Sequence, residues 1–374
     1  MESLRERFVS AKRVVIKIGS ALLVDGQTGQ LRKEWLTALA CDIATLRKRG
    51  QEVLIVSSGS IAMGRNILGL KPGTLKLEES QAAAAAGQIQ LAHAYQEILA
   101  TVNLTVAQIL LTLSDTEERR RYLNARSTLS TLLNLGAIPV INENDTVATS
   151  EIRYGDNDRL AARVAQMIGA DCLILLSDVN GLYDSDPTNN PNARFIPEVT
   201  KISDEILAMA GGVQTTVGSG GMVTKLKAAQ IATAAGCHMY ITDGRPQNPL
   251  HGMETGARAT CFTAQDTPRS ARKKWIAGRL SSHGKLVVDA GADNALQRGK
   301  SLLPAGVTEV TGLFQRGDLV TLYSQDEREL GKGISAYSSE DAVRIIGHKS
   351  GEIAEILGYS GRDEMIHRDE LALN

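Results

Sequence analysis

Two lysines occupy positions where a positive charge needs an explanation. Lys17 lies inside the apolar run VVIKIGS at 14–20, and Lys225 follows the glycines of GSGGMVTK at 218–225. A lysine in an apolar strand is costly to bury without an anionic partner, although an edge-strand lysine can reach water with its head group. A lysine in the first turn of a helix opposes the helix macrodipole. Glycine-rich backbone beside both lysines offers N–H donors to an anion, so the two segments favour a bound polyphosphate.

Polar residues cluster at three further points where apolar segments end or helices begin. They are SSGS at 57–60, NEND at 142–145 and GDND at 155–158. A plain βα turn with an N-cap serine accounts equally well for the first cluster, and turn or cap chemistry accounts for either of the others alone. Two clusters dense in Asn and Asp, both at strand or helix ends, together indicate a site that handles a substrate and a metal-bound phosphate.

Two common nucleotide-binding patterns do not occur in the sequence. Gly299-Lys300-Ser301 resembles the end of a Walker A loop, but Asn294 stands where that loop requires its first glycine. The absence of a G-x-G-x-x-G motif after a predicted strand argues against a Rossmann dinucleotide site. A nucleotide site in this chain must therefore be built from other strand ends.

The elements that position these residues follow from the spacing of apolar side chains. Strands are predicted near 14–20, 52–60, 105–112, 137–145, 172–181 and 237–244, and helices near 32–49, 78–101, 121–135, 156–170 and 220–236. Alternating strands and helices predict an α/β fold with an open, mostly parallel sheet between two layers of helices. Ligands of such sheets bind at the carboxyl ends of the strands, which is where the polar clusters lie.

The pattern changes after residue 262. The stretch 263–276 combines turn residues with basic residues and has no apolar period, which predicts a linker. Short apolar runs with close turns follow, as in GKLVVDAG and GDLVTLYS, and they predict a small β-rich barrel or sandwich. We therefore predict a domain at 1–262, a linker at 263–276 and a second domain at 277–374.

The composition is that of an ordinary globular protein. The 374 residues include 41 basic and 42 acidic side chains, for a net charge of −1. No global positive field therefore favours nucleic acid or an anionic membrane as a partner.

The N-terminal segment is charged and no apolar run reaches about 18 residues, so we expect no signal peptide, no membrane span and a cytoplasmic protein. Cys41, Cys172, Cys237 and Cys261 are far apart and form no C-x-x-C pair, and three of them lie in apolar or amphipathic segments, which favours reduced, buried thiols.

Six segments, taken in order along the chain, resemble the amino acid kinase superfamily. They are VVIKIGS, IVSSGSIAMG, PVINENDTVAT, YGDNDRLAA, LLSDVNGLY and GSGGMVTKLKAA. The combination of INEND, GDND and GGMxTK is similar to the glutamate 5-kinase family within it. The segments KKWIAG, GKLVVDAGA, SLLPAGV and GLFQRGDLV resemble the linker and the PUA domain that bacterial members carry. Ser57 and Ser219 stand where threonine is more usual, and both keep a hydroxyl group.

The resemblance implies a role for each matching residue. Lys17, Lys225 and Asp158 would be catalytic, with the Asp158 carboxylate orienting the two lysines. Glutamate would be held by Ser58, Gly59, Asn144, Asp145 and Asn157. ATP would be bound by Lys17, Gly19, Ser177, Asp178, Ser219, Gly220, Gly221, Met222, Val223, Thr224 and Lys225. Mg²⁺ would be held mainly through the ATP phosphates, with no metal site made by the protein.

The implied function is ATP-dependent phosphorylation of the side-chain carboxylate of L-glutamate to L-glutamyl 5-phosphate, the first step of proline biosynthesis, with feedback inhibition by proline. The residues agree, because phosphoryl transfer needs positioning and charge neutralisation, and a carboxylate acceptor is already ionised at neutral pH. We expect a homo-oligomer. The next enzyme of the pathway, glutamyl phosphate reductase, is a candidate partner.

Alternatives come from the same superfamily and from another class of protein. Kinases of acetylglutamate, aspartate, carbamate or UMP would share the ATP half of the site, but INEND, GDND and the C-terminal domain argue against them. The chain length predicts that no reductase domain is fused to the kinase. PUA folds bind RNA in modification enzymes, yet the near-neutral charge argues against RNA as the main partner.

Overall fold

The computed structural model describes residues 4–71, 73–147, 157–210, 221–277 and 282–374. The chain divides into two compact units, Met1–Pro268 and Arg269–Asn374. The stretch 263–276, predicted to be a linker, includes most of a helix, Pro268–Ala277. The domain limits 1–262 and 277–374 stay a prediction.

A sheet with helices on both faces forms the first unit. Its strands and those of a small hairpin are β1 (Arg13–Ile18), β2 (Glu52–Ser57), β3 (Val106–Leu111), β4 (Ile138–Glu143), β5 (Cys172–Ser177), β6 (Leu182–Tyr183), β7 (Phe195–Ile196), β8 (Glu198–Val199), β9 (His238–Asp243) and β10 (Ala259–Phe262). Among the described residues, the sheet order is β3-β4-β2-β1-β5-β9-β10-β8, and β6 pairs with β7. Only the β9–β10 pair of the sheet is antiparallel in the described ranges. The prediction of a mostly parallel sheet is confirmed.

The helices of this unit follow the predicted periodicity and add several short elements. They are α1 (Leu4–Ser10), α2 (Ser20–Leu23), α3 (Lys33–Lys48), α4 (Ser60–Ile67), α5 (Leu77–Ala100), α6 (Leu113–Glu117), α7 (Arg119–Asn134), α8 (Asn157–Ile168), α9 (Asp204–Met209), α10 (Met222–Ala234) and α11 (Pro249–Glu254). In the described part of the chain no helix has both the length and the apolar character needed to cross a membrane.

The expectation of buried thiols is wrong for Cys41, which is exposed on α3, whereas the other three cysteines are buried.

Side-chain alternation along the central strands separates two apolar cores. Val14, Ile16 and Ile18 of β1 pack in one cluster, and Val15 packs in the other, which also contains the buried residues of α8 and α10. Successive strand residues point to opposite faces, so Lys17 leaves the sheet on the same side as Val15. The alternation therefore places this lysine under α8 and α10.

Two glycines allow α4 and α5 to pack in backbone contact. A Cβ atom at Gly64 would lie 1.7 Å from the Ala83 carbonyl oxygen, and one at Gly87 would lie 1.8 Å from the Ser60 carbonyl oxygen. No larger residue fits at either position without moving a helix. The contact holds the start of α4, and with it Ser60, against the middle of α5.

The second unit is β-rich, as predicted, but it also contains helices that were not predicted. Its elements are α12 (Pro268–Ala277), β11 (Gly284–Val288), α13 (Ala290–Gln297), β12 (Val307–Gly312), β13 (Leu319–Ser324), β14 (Glu329–Ile334), α14 (Ser339–Ile345), α15 (Ile353–Leu357) and β15 (Leu371–Leu373). The strands described form one sheet, in the order β12-β11-β13-β14-β15. Side-chain caps start two of the unexpected helices: Asp289 accepts from the Ala292 N–H at 2.6 Å, and Ser338 accepts from the Asp341 N–H at 3.2 Å.

Candidate functional site

A buried carboxylate joins the two lysines. Lys17 Nζ lies 2.7 Å from Asp158 Oδ1, and Lys225 Nζ lies 3.1 Å from Asp158 Oδ2. The Thr224 hydroxyl donates to the same Oδ2 atom at 3.0 Å. Asp158 has 0% of its surface exposed, and the lysines expose 7% and 5%. Because both carboxylate oxygens are engaged, Asp158 fixes the two ammonium groups relative to each other.

Local structure explains why these side chains meet. Lys17 leaves β1 toward the face covered by α8 and α10, Asp158 is in the first turn of α8, and Lys225 is in the first turn of α10. Burial by itself raises the pKa of Asp158, but the ammonium groups of Lys17 and Lys225 outweigh burial and hold this pKa below its usual value. The carboxylate therefore stays ionised, and two cations around one anion give the cluster a net charge of plus one.

Asn157, the residue before this aspartate, connects the ends of two strands. Its Nδ2 atom donates to Ser58 Oγ at 2.7 Å, to the Ser57 carbonyl oxygen at 3.1 Å and to Asn142 Oδ1 at 3.2 Å. Gly59 follows with φ of 109°, a conformation that favours glycine, and it turns the chain from β2 into α4. The SSGS and NEND clusters thus meet at the N-terminus of α8.

Asp145 lies just beyond β4, at the start of the short 3₁₀ helix Asp145–Val147. Burial raises its pKa to about 6, and a hydrogen bond from Ser60 Oγ at 3.4 Å acts in the opposite direction. At neutral pH the Asp145 carboxylate is therefore mostly ionised and offers a negative charge to a cationic ligand.

Ser177 and Asp178 lie at the end of β5. Ser177 Oγ donates to Asp178 Oδ1 at 3.0 Å, and the Gly244 N–H donates to the Ser177 carbonyl oxygen at 2.7 Å. Gly221 is the N-cap residue of α10, directly before Met222. The end of β5 lies on the far side of β1 from the ends of β2 and β4 that Asn157 contacts, since β1 lies between β5 and β2 in the sheet.

A cavity of about 1830 Å³ opens along these strand ends. The predicted site residues that line it are Lys17, Gly19, Ser58, Gly59, Asp145, Asn157, Ser177, Asp178, Gly221, Met222 and Lys225. Asp158 and Thr224 support the lysines without lining the cavity. Asn144, whose side chain accepts from Thr146 Oγ1 at 2.7 Å, and the exposed Val223 do not line it either. Ser219 and Gly220 lie outside the described residues.

Sequence reasoning gave no role to three residues that the structure places in the same network. Asn142 donates to Gln88 Oε1 at 2.7 Å and to Ser60 Oγ at 3.3 Å. Asn142 and Ser60 belong to clusters noted in the sequence, but Gln88 sits in an alanine-rich helix. The signal available for Gln88 was its neighbour Gly87, the only glycine of α5.

Replacing Asp158 with asparagine should destabilise the protein more than replacing Lys17 with methionine. Asp158→Asn removes the carboxylate charge that both buried ammonium groups contact, and removing one partner of a buried ion pair costs about 3–5 kcal/mol. Lys17→Met leaves one neutral pair between Lys225 and Asp158. Urea denaturation followed by circular dichroism measures the difference, with Asp204→Asn as the control at an exposed position. Equal stability of Asp158→Asn and Lys17→Met would contradict the charge assignment.

Comparisons with known proteins identify the family of the chain. The amino acid kinase family matches residues 12–243, and the PUA domain matches residues 284–357. A glutamate 5-kinase of Paramagnetospirillum magneticum is 61% identical over 364 residues, which cover 97% of this chain and 98% of the relative. Glutamate 5-kinase 1 of Rhizobium meliloti is 58% identical over 373 residues, 100% of this chain and 95% of the relative.

Among solved structures, UMP kinase from Ureaplasma parvum matches with a TM-score of 0.48 at 19% identity, covering 67% of this chain and 98% of that chain. This likeness is too small to bear on function, and the assignment depends on the family matches and the close relatives. The chain belongs to the amino acid kinase family, and within it to the glutamate 5-kinases that carry a C-terminal PUA domain.

Proposed function

We propose that this chain transfers the γ-phosphoryl group of ATP to the side-chain carboxylate of L-glutamate, forming L-glutamyl 5-phosphate for proline biosynthesis. The observation that carries the proposal is the pair of buried lysines on Asp158, beside a cavity that also contains Asn157 and Asp145. Relatives named glutamate 5-kinase, at 58% and 61% identity, support the same reaction.

In the proposed reaction, a side-chain carboxylate oxygen of glutamate attacks the γ-phosphorus of ATP. The bond from that phosphorus to the β,γ-bridging oxygen breaks, its electron pair leaves with ADP, and an acyl phosphate forms. The free acceptor carboxyl has a pKa of about 4.3, so it is ionised at neutral pH and no protein base has to remove a proton. The protein therefore contributes position and charge neutralisation.

Lys17 and Lys225 would contact the phosphate being transferred, one from β1 and the other from α10. A lysine acts as a compact point charge, and Asp158 holds both charges in place before the reaction begins. Such preorganised charge stabilises the charge that develops in the transition state without further rearrangement. The net charge of plus one on the cluster is complementary to a polyphosphate.

The other residues that the sequence predicts for the site form two groups. We assign Ser58, Gly59, Asn144, Asp145 and Asn157 to glutamate. We assign Gly19, Ser177, Asp178, Ser219, Gly220, Gly221, Met222, Val223 and Thr224 to ATP, with the lysines between the two groups. Among the described members of these sets, Asn144, Val223 and Thr224 do not line the cavity.

Magnesium would arrive with the nucleotide. Within the described residues no group of three or more His, Cys, Asp or Glu side chains could hold a metal ion. Both oxygens of Asp158 are engaged by lysine and threonine groups, so the donor set fits an ion held mainly by ATP oxygens and water. When bound, Mg²⁺ supplies further neutralisation of phosphate charge.

Three expectations extend this proposal: a cytoplasmic location, a homo-oligomer, and an interaction with glutamyl phosphate reductase. The last has a chemical motive, because an acyl phosphate is hydrolysed in water unless the next enzyme consumes it.

The purified chain should release ADP with glutamate, Mg²⁺ and ATP, and far less with N-acetylglutamate, aspartate or UMP. Lys17→Ala and Lys225→Ala should each lower turnover on glutamate by about 10²-fold or more, because each removes a charge contact from the transition state. Arginine at either position should not restore activity, since its larger planar head misplaces the charge. A coupled ADP-release assay measures all of these rates.

Lys227→Ala is the matched control, because Lys227 lies on the same helix as Lys225 and is exposed. It should keep wild-type turnover. Near-native turnover of Lys17→Ala or Lys225→Ala would remove that lysine from the mechanism. Preference for another substrate in the panel would overturn the proposed function itself.

The apparent KM for glutamate should rise as the pH falls through about 6. Below its pKa Asp145 becomes protonated and loses the negative charge that would attract the ammonium group of glutamate, while the glutamate side chain, with a pKa of about 4.3, stays ionised. Initial rates from about pH 5 to about pH 8 give the profile. Asp145→Asn should show a high KM throughout and no inflection; if the inflection persists in this variant, another group causes it.

Proline should inhibit by competing with glutamate. Proline carries the same α-carboxylate and a charged amino group, so it can use contacts made by the α end of glutamate. Steady-state kinetics should show that proline raises the apparent KM for glutamate. An effect of proline on the ATP requirement, with glutamate saturation unchanged, would rule out overlap of the two sites.

A further inference from the structure

The hydrogen-bond network around Asn157 ends at a residue that does not touch the cavity. Gln88 lies in the middle of α5 and is not among the residues lining the cavity. Its Oε1 atom accepts a hydrogen bond from Asn142 Nδ2 at 2.7 Å. This short contact joins α5 to the end of β4, at the first residue of the NEND cluster.

The orientation of the Asn142 amide follows from groups that can act in only one way. The Glu143 backbone N–H donates to Asn142 Oδ1 at 2.9 Å, and a backbone N–H cannot accept. The other end of the amide is therefore the donor, and it must find acceptors, which are Gln88 Oε1 and Ser60 Oγ. Gln88 thus stabilises one orientation of a buried amide.

That orientation is transmitted to Asn157. Asn157 Nδ2 donates hydrogen bonds to two acceptors, Asn142 Oδ1 at 3.2 Å and the Ser57 carbonyl oxygen at 3.1 Å. The Oδ1 atom of Asn157 is left buried without a hydrogen-bond partner among the described residues. A buried acceptor without a donor is costly, so this atom is suited to receive an N–H group of a bound ligand.

The orientation of the Asn142 amide also determines the hydrogen bond between Ser60 and Asp145. Because Asn142 Nδ2 donates to Ser60 Oγ at 3.3 Å, the serine proton is left to point toward Asp145 Oδ2, 3.4 Å away. Asn157 Oδ1 and the Asp145 carboxylate are then two acceptors on residues that line one cavity. A substrate ammonium group, which donates up to three hydrogen bonds, matches two acceptors.

We propose that Gln88 is a positioning residue for recognition of the substrate's ammonium group, acting through Asn142 on both Asn157 and Asp145. The inference rests on the proposed function, since it takes an amino acid as the substrate. Gly87 makes the arrangement possible, because its missing side chain lets α5 approach the Ser60 backbone and brings the next residue to Asn142.

The test compares Gln88→Met with Gln90→Met, a matched change at an exposed position two residues along the same helix. In Gln88→Met the KM for glutamate should rise about tenfold, as expected for loss of one well-placed hydrogen bond. The KM for ATP should not change. The inhibition constant of glutarate, which has both carboxylates but no amino group, should change less than twofold, so the preference for glutamate over glutarate narrows. Gln90→Met should behave as wild type.

Two further variants separate a positioning role from simple structural support. Gln88→Glu keeps an acceptor oxygen in either protonation state and should retain the preference for glutamate. In an Asn157→Ala background, Gln88→Met should raise the KM for glutamate by a smaller factor than in the wild-type background, because coupled residues are not additive and only the branch through Ser60 to Asp145 remains. If Gln88→Met does not fold, Gln88→Asn is used in its place. Its side chain is one methylene shorter, so its oxygen is drawn back from Asn142, and the preference for glutamate over glutarate should again narrow.

Wild-type behaviour of Gln88→Met, or an equal loss of glutamate and glutarate binding, would overturn the positioning role while leaving the proposed function standing. A wild-type chain that releases no ADP with glutamate would instead overturn the proposed function, and the ammonium assignment with it.

Discussion

The site depends on one buried carboxylate held between two ammonium groups. Removing charges from water is expensive, and Asp158 offsets this only because its two oxygens meet Lys17 and Lys225 at 2.7 and 3.1 Å. The constraint reaches far into the fold. A shift of β1 by one residue would carry Lys17 to the opposite face of the sheet, and a displaced α10 would withdraw Lys225. The packing of β1, α8 and α10 on one apolar core therefore sets the geometry of the charges.

Adjacent residues at the start of α8 serve different halves of the cavity. Asn157 faces the ends of β2 and β4 through Ser58 and Asn142, while Asp158 faces the two lysines. Because the two side chains share one helical turn, a movement of α8 changes both sets of contacts at once. The distance between the contacts of Asn157 and the two lysines is therefore set by one rigid element. In the proposed reaction that element would hold glutamate and ATP in register.

Periodicity predicted the main strands and helices of the first unit within a few residues, because each is long and buried on a defined face. An anionic partner for Lys17 was also predictable, since a charge in an apolar setting requires one. That this partner is Asp158 was implied by the family resemblance, and the catalytic roles of both residues stay a prediction. Gln88 was not predictable, because an alanine-rich helix does not reveal which face meets a neighbour, and that face is set here by backbone contact at Gly87. The short helices of the second unit, such as Ala290–Gln297, were not predicted, because a few residues give almost no periodic signal.

The two halves of the cavity, one around Lys17 and Lys225 and the other around Asn157, offer different kinds of interaction. Each kind suits the ligand that the half would bind. The half around Lys17 and Lys225, which would bind phosphate, relies on formal charges, which attract over distance and tolerate small changes of angle. The half around Asn157, which would bind the amino acid, combines the Asp145 carboxylate with amides and hydroxyls, whose hydrogen bonds distinguish a donor from an acceptor but weaken steeply when misaligned. The side-chain amides of Asn142 and Asn157 therefore have to be held in one orientation by further hydrogen bonds. Gln88 accepts such a bond from Asn142, and the Ser57 carbonyl oxygen accepts one from Asn157. Charge supplies strength where phosphorus would react, and a chain of oriented amides supplies selectivity where the amino acid would be recognised.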